Sequence, residues 1–210
     1  MTIKASITLP NFDAQFEANV KKEIRKKIAL VMPNITSAVK KRLEAELYTA
    51  ISTSETWTAV TGGVLRGELG IPSVASLDAI LERWASGIQV QYKRNTGFGS
   101  IEIGMLRSDY SDVLSLPQAS YPYVSRRTSG IIEWLRWLLL EGTQTIVAGY
   151  DFEPGVKGRT GLGIMVRTGG GWQIPQQYAG TATDNFATRS LSDIQNVIDR
   201  VVKEEVNRRF

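Results

Sequence analysis

Cysteine and histidine are both absent from the 210 residues. Without cysteine there is no disulfide framework, iron–sulfur cluster, thiolate zinc site or sulfur nucleophile. Without histidine the chain lacks the commonest general base, the usual transition-metal ligand and the side chain that titrates near neutrality. A Ser-His-Asp triad is excluded on inventory, and so are zinc sites built from Cys and His. Long hydrophobic runs are missing too. The longest, Trp134 to Leu140, is interrupted by Arg136 and is far shorter than the roughly 20 residues of a membrane-spanning helix. No secretory signal core is visible, and no G-x-x-x-x-G-K-[ST] phosphate loop occurs. The segment Gly161-Leu162-Gly163 starts like a dinucleotide loop but lacks the last glycine, and it reads as a strand with a packing glycine. The expectation is a non-enzymatic chain with no cofactor, no metal and no membrane segment.

What remains is ordinary globular material, 42% hydrophobic and 22% charged, long enough for one sizeable domain over residues 1–210. A net charge of +4, from 25 Lys and Arg against 21 Asp and Glu, hints only weakly at an anionic partner. Phe12, Phe16, Val20, Ile24 and Ile28 recur every four residues and predict one drifting face of a long amphipathic helix. Val31, Ile35, Val39, Leu43 and Leu47 continue it past Pro33. Residues 11–52 are therefore either one bent rod or two helices meeting at Pro33, with Asn34 capping the second.

Residues 53–72 are rich in Ser, Thr and Gly and read as a flexible loop. Its Trp57, Val64, Leu65 and Leu69 either dock on a neighbour or fold over the chain's own core. A short helix capped by Ser76 is expected up to Ala85. Residues 88–92 and 101–105 alternate and predict a hairpin; residues 145–152 and 162–167 predict a second. Ser129 to Glu141 reads as a helix, Gly169-Gly170-Gly171 as a hinge or turn, and the Ser192-x-x-Gln195 pattern as the capping box of a C-terminal helix. Residues 3–9 alternate like a further strand. The fold expected is α+β: one antiparallel sheet of four to five strands packed on a long kinked N-terminal helix and a C-terminal helix.

Three groups of side chains stand out. Lys21, Lys22, Arg25, Lys26 and Lys27 form a basic band, followed by Lys40, Lys41 and Arg42. They suit either phosphate contacts or a solvated face, and the interspersed Glu17, Glu23, Glu44 and Glu46 favour the solvated face. Trp134 and Trp137 read first as core; where their helix is not wholly internal, they and Trp57 are candidate anchors of a subunit interface. Asp151 and Glu153 sit two apart after a strand, a weak magnesium-type pair whose simpler reading is solvated charge.

Thr61-Gly62-Gly63-Val64-Leu65-Arg66, a candidate assembly loop, is similar to a T-G-x-L-R loop with one residue inserted. Asp184-Asn185-Phe186-Ala187-Thr188-Arg189-Ser190-Leu191 is similar to a segment that leads into a C-terminal helix. With the order of elements, these two segments resemble the tail-completion and neck (head–tail connector) proteins of tailed bacteriophages, the minor tail protein Z group. The resemblance implies a virion subunit assembled in the host cytoplasm. It would form a homo-oligomeric ring, six-fold by expectation, between a head connector or adaptor and a tail tube or tail terminator. DNA would pass through the ring without sequence recognition.

Overall fold

Helix α1 (Phe12–Ser52) runs 41 residues without a break and is the axis on which the rest is built. The computed structural model describes residues 12–95, 97–124, 129–155, 158 and 160–210; the strand expected at 3–9 lies outside them. Of the two arrangements left open at Pro33, the continuous rod is the one found. Pro33 is exposed, Asn34 is helical rather than a cap, and the Thr36 hydroxyl donates to the Pro33 carbonyl at 3.1 Å. Ile35, Val39, Leu43, Leu47 and Ile51 are each 0% exposed. A four-residue step drifts about 40° around a helix, so this stripe sweeps roughly 160° and calls for packing partners on several sides. Strand β1 (Ile88–Lys93), α4 (Asp78–Ser86), α7 (Phe186–Asp193) and α8 (Gln195–Asn207) supply them.

Most of residues 53–72, expected as a loop, is helical. Ser54 caps α2 (Glu55–Gly62) by accepting from the Trp57 amide at 3.2 Å, and α3 (Val64–Glu68) follows after Gly63. Trp57, Val60, Leu65 and Leu69 are all buried. That burial orders a segment whose glycine and threonine content alone predicts mobility. Helix α4 begins at Asp78 without a side-chain cap. Ser76 instead makes a turn in which its carbonyl accepts from Ala79.

The strands form three separate antiparallel hairpins among the described residues, not one sheet. Strand β1 pairs with β2 (Ser100–Met105), β3 (Tyr121–Val124) with β4 (Ser129–Ile132), and β5 (Val147–Pro154) with β6 (Gly163–Trp172). Two of the pairs rest on different helical ground: β1 on α1, but β5 and β6 on α3. Helical turns between them, α5 (Ser111–Leu114) and α6 (Trp134–Arg136) with its π-helical extension Trp137–Glu141, keep the edges apart. The helix expected from Ser129 is thus delayed to Trp134, because Ser129 to Ile132 pair with Tyr121 to Val124. The Gly169-Gly170-Gly171 hinge is likewise part of β6, where a register shift opposite Gly149 is absorbed by positive φ at Gly149 and Gly169.

The C-terminal helix is two helices that meet at Ile194, and Ser192 lies inside the first. The capping box sits seven residues earlier than expected, at Asn185 and Thr188. Asn185 is fully buried; its side-chain oxygen Oδ1 accepts from the Ala187 and Thr188 amides at 3.0 and 3.1 Å. Its side-chain nitrogen Nδ2 donates to the Tyr110 hydroxyl at 2.9 Å and the Thr181 carbonyl at 2.8 Å. Arg42 of α1 reaches Glu205 and Glu204 of α8 at 3.0 and 2.7 Å, and Arg208 adds a second contact to Glu205 at 3.2 Å. These bonds and the buried Ile194 and Val201 seat the C-terminal pair on α1. Among the described residues no helix is long and apolar enough to cross a membrane.

Candidate assembly interface

The six residues of the candidate loop form the corner between α2 and α3, and they divide by direction. The Thr61 hydroxyl donates to the Trp57 carbonyl at 3.0 Å, Leu65 is buried, and Arg66 donates to the carbonyls of Ile71 and Pro72 at 3.3 and 3.1 Å. These three hold the corner closed. Gly63 must be small: a Cβ there would come within 2.9 Å of the Ala59 backbone. Gly62 and Val64 face outward, Val64 with 58% of its surface exposed.

Beside this corner runs a groove of about 710 Å³, lined by α2, α3 and the Pro175 to Tyr178 turn. Its charged lining residues are Glu55 and Glu68, both acidic. Glu68 also borders a second, apolar cavity of about 260 Å³ under the β5–β6 hairpin, walled by Trp137, Phe152, Met165 and Trp172. One Glu68 carboxylate oxygen is buried with no hydrogen-bond donor among the described residues. Burial pushes the Glu68 carboxyl above its ordinary value. The hairpin closes over α3 at Gly67, where a Cβ would meet Leu162 at 2.8 Å and Phe152 at 3.0 Å. Among the described residues Glu68 is the one charged group that lines this cavity, and Thr160 brings the one hydroxyl side chain.

The tryptophans part company. Trp57 and Trp134 are core: Trp57 packs its ring on Phe186 at 6.1 Å, and Trp134 donates to the Gln118 carbonyl at 2.8 Å from a fully buried position. Neither can anchor a neighbour without leaving its own protomer. Trp137 is half-buried, edge-on to Trp172 at 6.4 Å, and lines the apolar cavity.

The basic band lies on the part of α1 that the body does not cover, residues 14–27 being exposed throughout. Lys21 pairs with Glu17, and Lys26 with Glu23 at 2.7 Å; hydrogen bonds to these lysines hold both carboxyls below their usual range. Arg25 donates to the Gly97 carbonyl at 3.0 Å, tying α1 to the β1–β2 tip. Lys22, Arg25, Lys26 and Arg94 converge around a groove of about 540 Å³ there. Lys27 makes no salt bridge with the described residues. Farther along, Lys40 faces Glu44, and Arg42 is committed to α8. Asp151 and Glu153 are exposed, and Asp151 accepts from the Thr168 hydroxyl. No group of three or more His, Cys, Asp or Glu that could hold a metal occurs among the described residues.

Sequence reasoning missed Glu68 and Glu55, the two charges of the groove. The available signal was an acid inside the apolar run Val64-Leu65 to Leu69-Gly70-Ile71. The Asp184 to Leu191 segment resolves as the buried cap described above, with Arg189 paired to Asp184 at 2.7 Å. No protein-family profile, curated protein or solved structure matches this chain.

Proposed function

We propose that this chain is a structural subunit that works by assembling with copies of itself, as a ring in the neck or tail end of a tailed phage particle. The observation that carries the reading is the uncovered half of α1. A helix of this length has its C-terminal stripe buried, yet Val20 and Ile24 on the same four-residue spacing are 39% and 41% exposed. Helices are marginal on their own in water and gain most of their stability by burying an apolar face. An apolar face carried clear of the body is therefore an element built for a neighbour. The phage setting rests on the resemblance of Thr61 to Arg66 and Asp184 to Leu191, and with it come the expected six-fold order and the partners: a head connector or adaptor, and a tail tube or tail terminator. The work is assembly, not turnover. The test is the solution mass of the purified chain together with negative-stain images: a ring is expected, and a 23.2 kDa particle at every concentration, indifferent to phage heads and tails, contradicts it.

A second reading has its own observation. The Lys22, Arg25, Lys26 and Arg94 groove has the charge to follow a phosphate backbone. Duplex-DNA affinity measured across salt concentrations separates the two. A steep loss with rising salt that is removed by Lys21, Lys22, Lys26 and Lys27→Gln favours nucleic-acid binding as the main role.

A further inference from the structure

We infer that the exposed N-terminal half of α1 docks in the acidic α2–α3 groove of a second copy of this chain, head to tail. The inference rests on the self-assembly reading and names the two surfaces that meet.

The two faces are complementary in chemistry. Val20 and Ile24 lie one helical turn apart on the arm, and Lys27 follows Ile24 by three residues and Val20 by seven, which puts the lysine on the same side. Lys27 is exposed and forms no salt bridge with the described residues. The groove presents the converse: exposed Val64 and half-buried Ala59 and Tyr178 beside the carboxylates of Glu55 and Glu68, with no Lys or Arg among its lining residues. Glu68 in addition keeps one buried oxygen without a donor among the described residues. A cation arriving from outside meets the two acids of the groove, and hydrogen bonds between ionised groups are the stronger kind.

Geometry rules out the same contact within one chain. Ile24 lies 28 residues before the end of α1, about 42 Å at 1.5 Å per residue. Helix α2 starts three residues beyond that end, and its eight residues recover only about 12 Å even if they double straight back. Arm and groove are thus some 30 Å apart in one protomer. A contact between different patches at opposite ends of a subunit repeats from copy to copy, and closes into a ring when the rotation allows.

The lack of cysteine makes a clean test available. Ile24→Cys and Val64→Cys are made in separate chains, mixed, and treated with a short thiol-to-thiol cross-linker. The expected product is a covalent dimer that needs both variants; a chain carrying both substitutions gives a ladder up to the size of the oligomer. Oligomers that form without the mixed cross-link, or with Ile24→Cys joined mainly to Ile24→Cys, overturn the docking but leave self-assembly standing. A chain that stays a protomer throughout overturns both. As a second arm, Val20→Gln with Ile24→Gln leaves the charge unchanged and alters only exposed positions. Loss of the oligomer is expected, with a melting curve that is unchanged when both chains are compared as protomers. If the mass is unaffected and duplex-DNA affinity falls instead, the arm is a nucleic-acid surface and the inference fails.

Discussion

The two halves of α1 carry the same four-residue apolar spacing and meet opposite fates. From Ile35 to Ile51 the stripe is sealed by four other elements; from residue 14 to 27 every residue is exposed. Periodicity therefore fixes which side of a helix is apolar, but not whether the burying surface belongs to the same chain. The difference lies in what the rest of the chain can reach. Among the described residues the body packs on the C-terminal half, and the β1–β2 tip reaches the other through Arg25 and Gly97.

Matched substitutions sharpen the contrast. Leu43→Ala should cost about 2–5 kcal/mol of protomer stability by the cavity it leaves. Ile24→Ala should cost under about 0.5 kcal/mol, because its surface is already wet. Urea denaturation at protomer concentration measures both, and equal losses would erase the distinction. Next in size is Asn185→Ala, which removes the α7 cap and strands the Tyr110 hydroxyl; about 2–3 kcal/mol is expected, with Tyr110→Phe milder in the same assay.

Arg42→Ala should loosen α8 from the buried half of α1. Hydrogen exchange in residues 195–207 is expected to speed up while residues 12–30 do not change. The Arg42–Glu204 pair adds a pH signature. A hydrogen bond from Arg42 holds the Glu204 carboxyl below its ordinary range, so its contribution is present above the unfolded value and fades as pH falls through the folded one.

Glu68 works in the opposite sense. Its folded value is raised by burial above 4.5, so the native protomer is favoured while the carboxyl is neutral and loses that advantage as pH climbs through the raised value. Glu68→Gln should melt with the parent chain below about pH 4.5 and higher than it at neutral pH, when both are protomers. In the assembled state the same change should weaken association. A lower melting temperature for the variant protomer at neutral pH would show that Glu68 already has its partner at home. The smallest effect is expected for Lys21→Gln, whose exposed pair with Glu17 contributes little to stability.

Much of the fold was readable because strong local patterns were not overridden. The alternation of Ile88 to Tyr92 against Ile101 to Met105 gives β1 and β2, and the apolar spacing gives α1 and the terminal helix. Misreadings arose where tertiary packing decides. Trp57, Val60, Leu65 and Leu69 turn a glycine- and threonine-rich stretch into helices by burial, and pairing with β3 takes Ser129 to Ile132 away from the helix that follows. Assembly of strands into one sheet or three hairpins depends on helical supports that spacing does not encode. At the candidate interface the basic band was legible as a solvated face, whereas spacing did not separate exposed Val64 from buried Trp57, Leu65 and Leu69. The groove was not, since Glu55, Glu68 and Tyr178 come together only through the fold.

Hydrogen–deuterium exchange along α1, followed from dilute protomer to concentrated assembly, tests the central claim most directly. The account predicts amides of residues 35–51 protected at every concentration, and those of residues 14–27 protected only as the mass rises. Equal protection of both stretches in the dilute protomer, or an arm that exchanges freely in the assembled state, would contradict it.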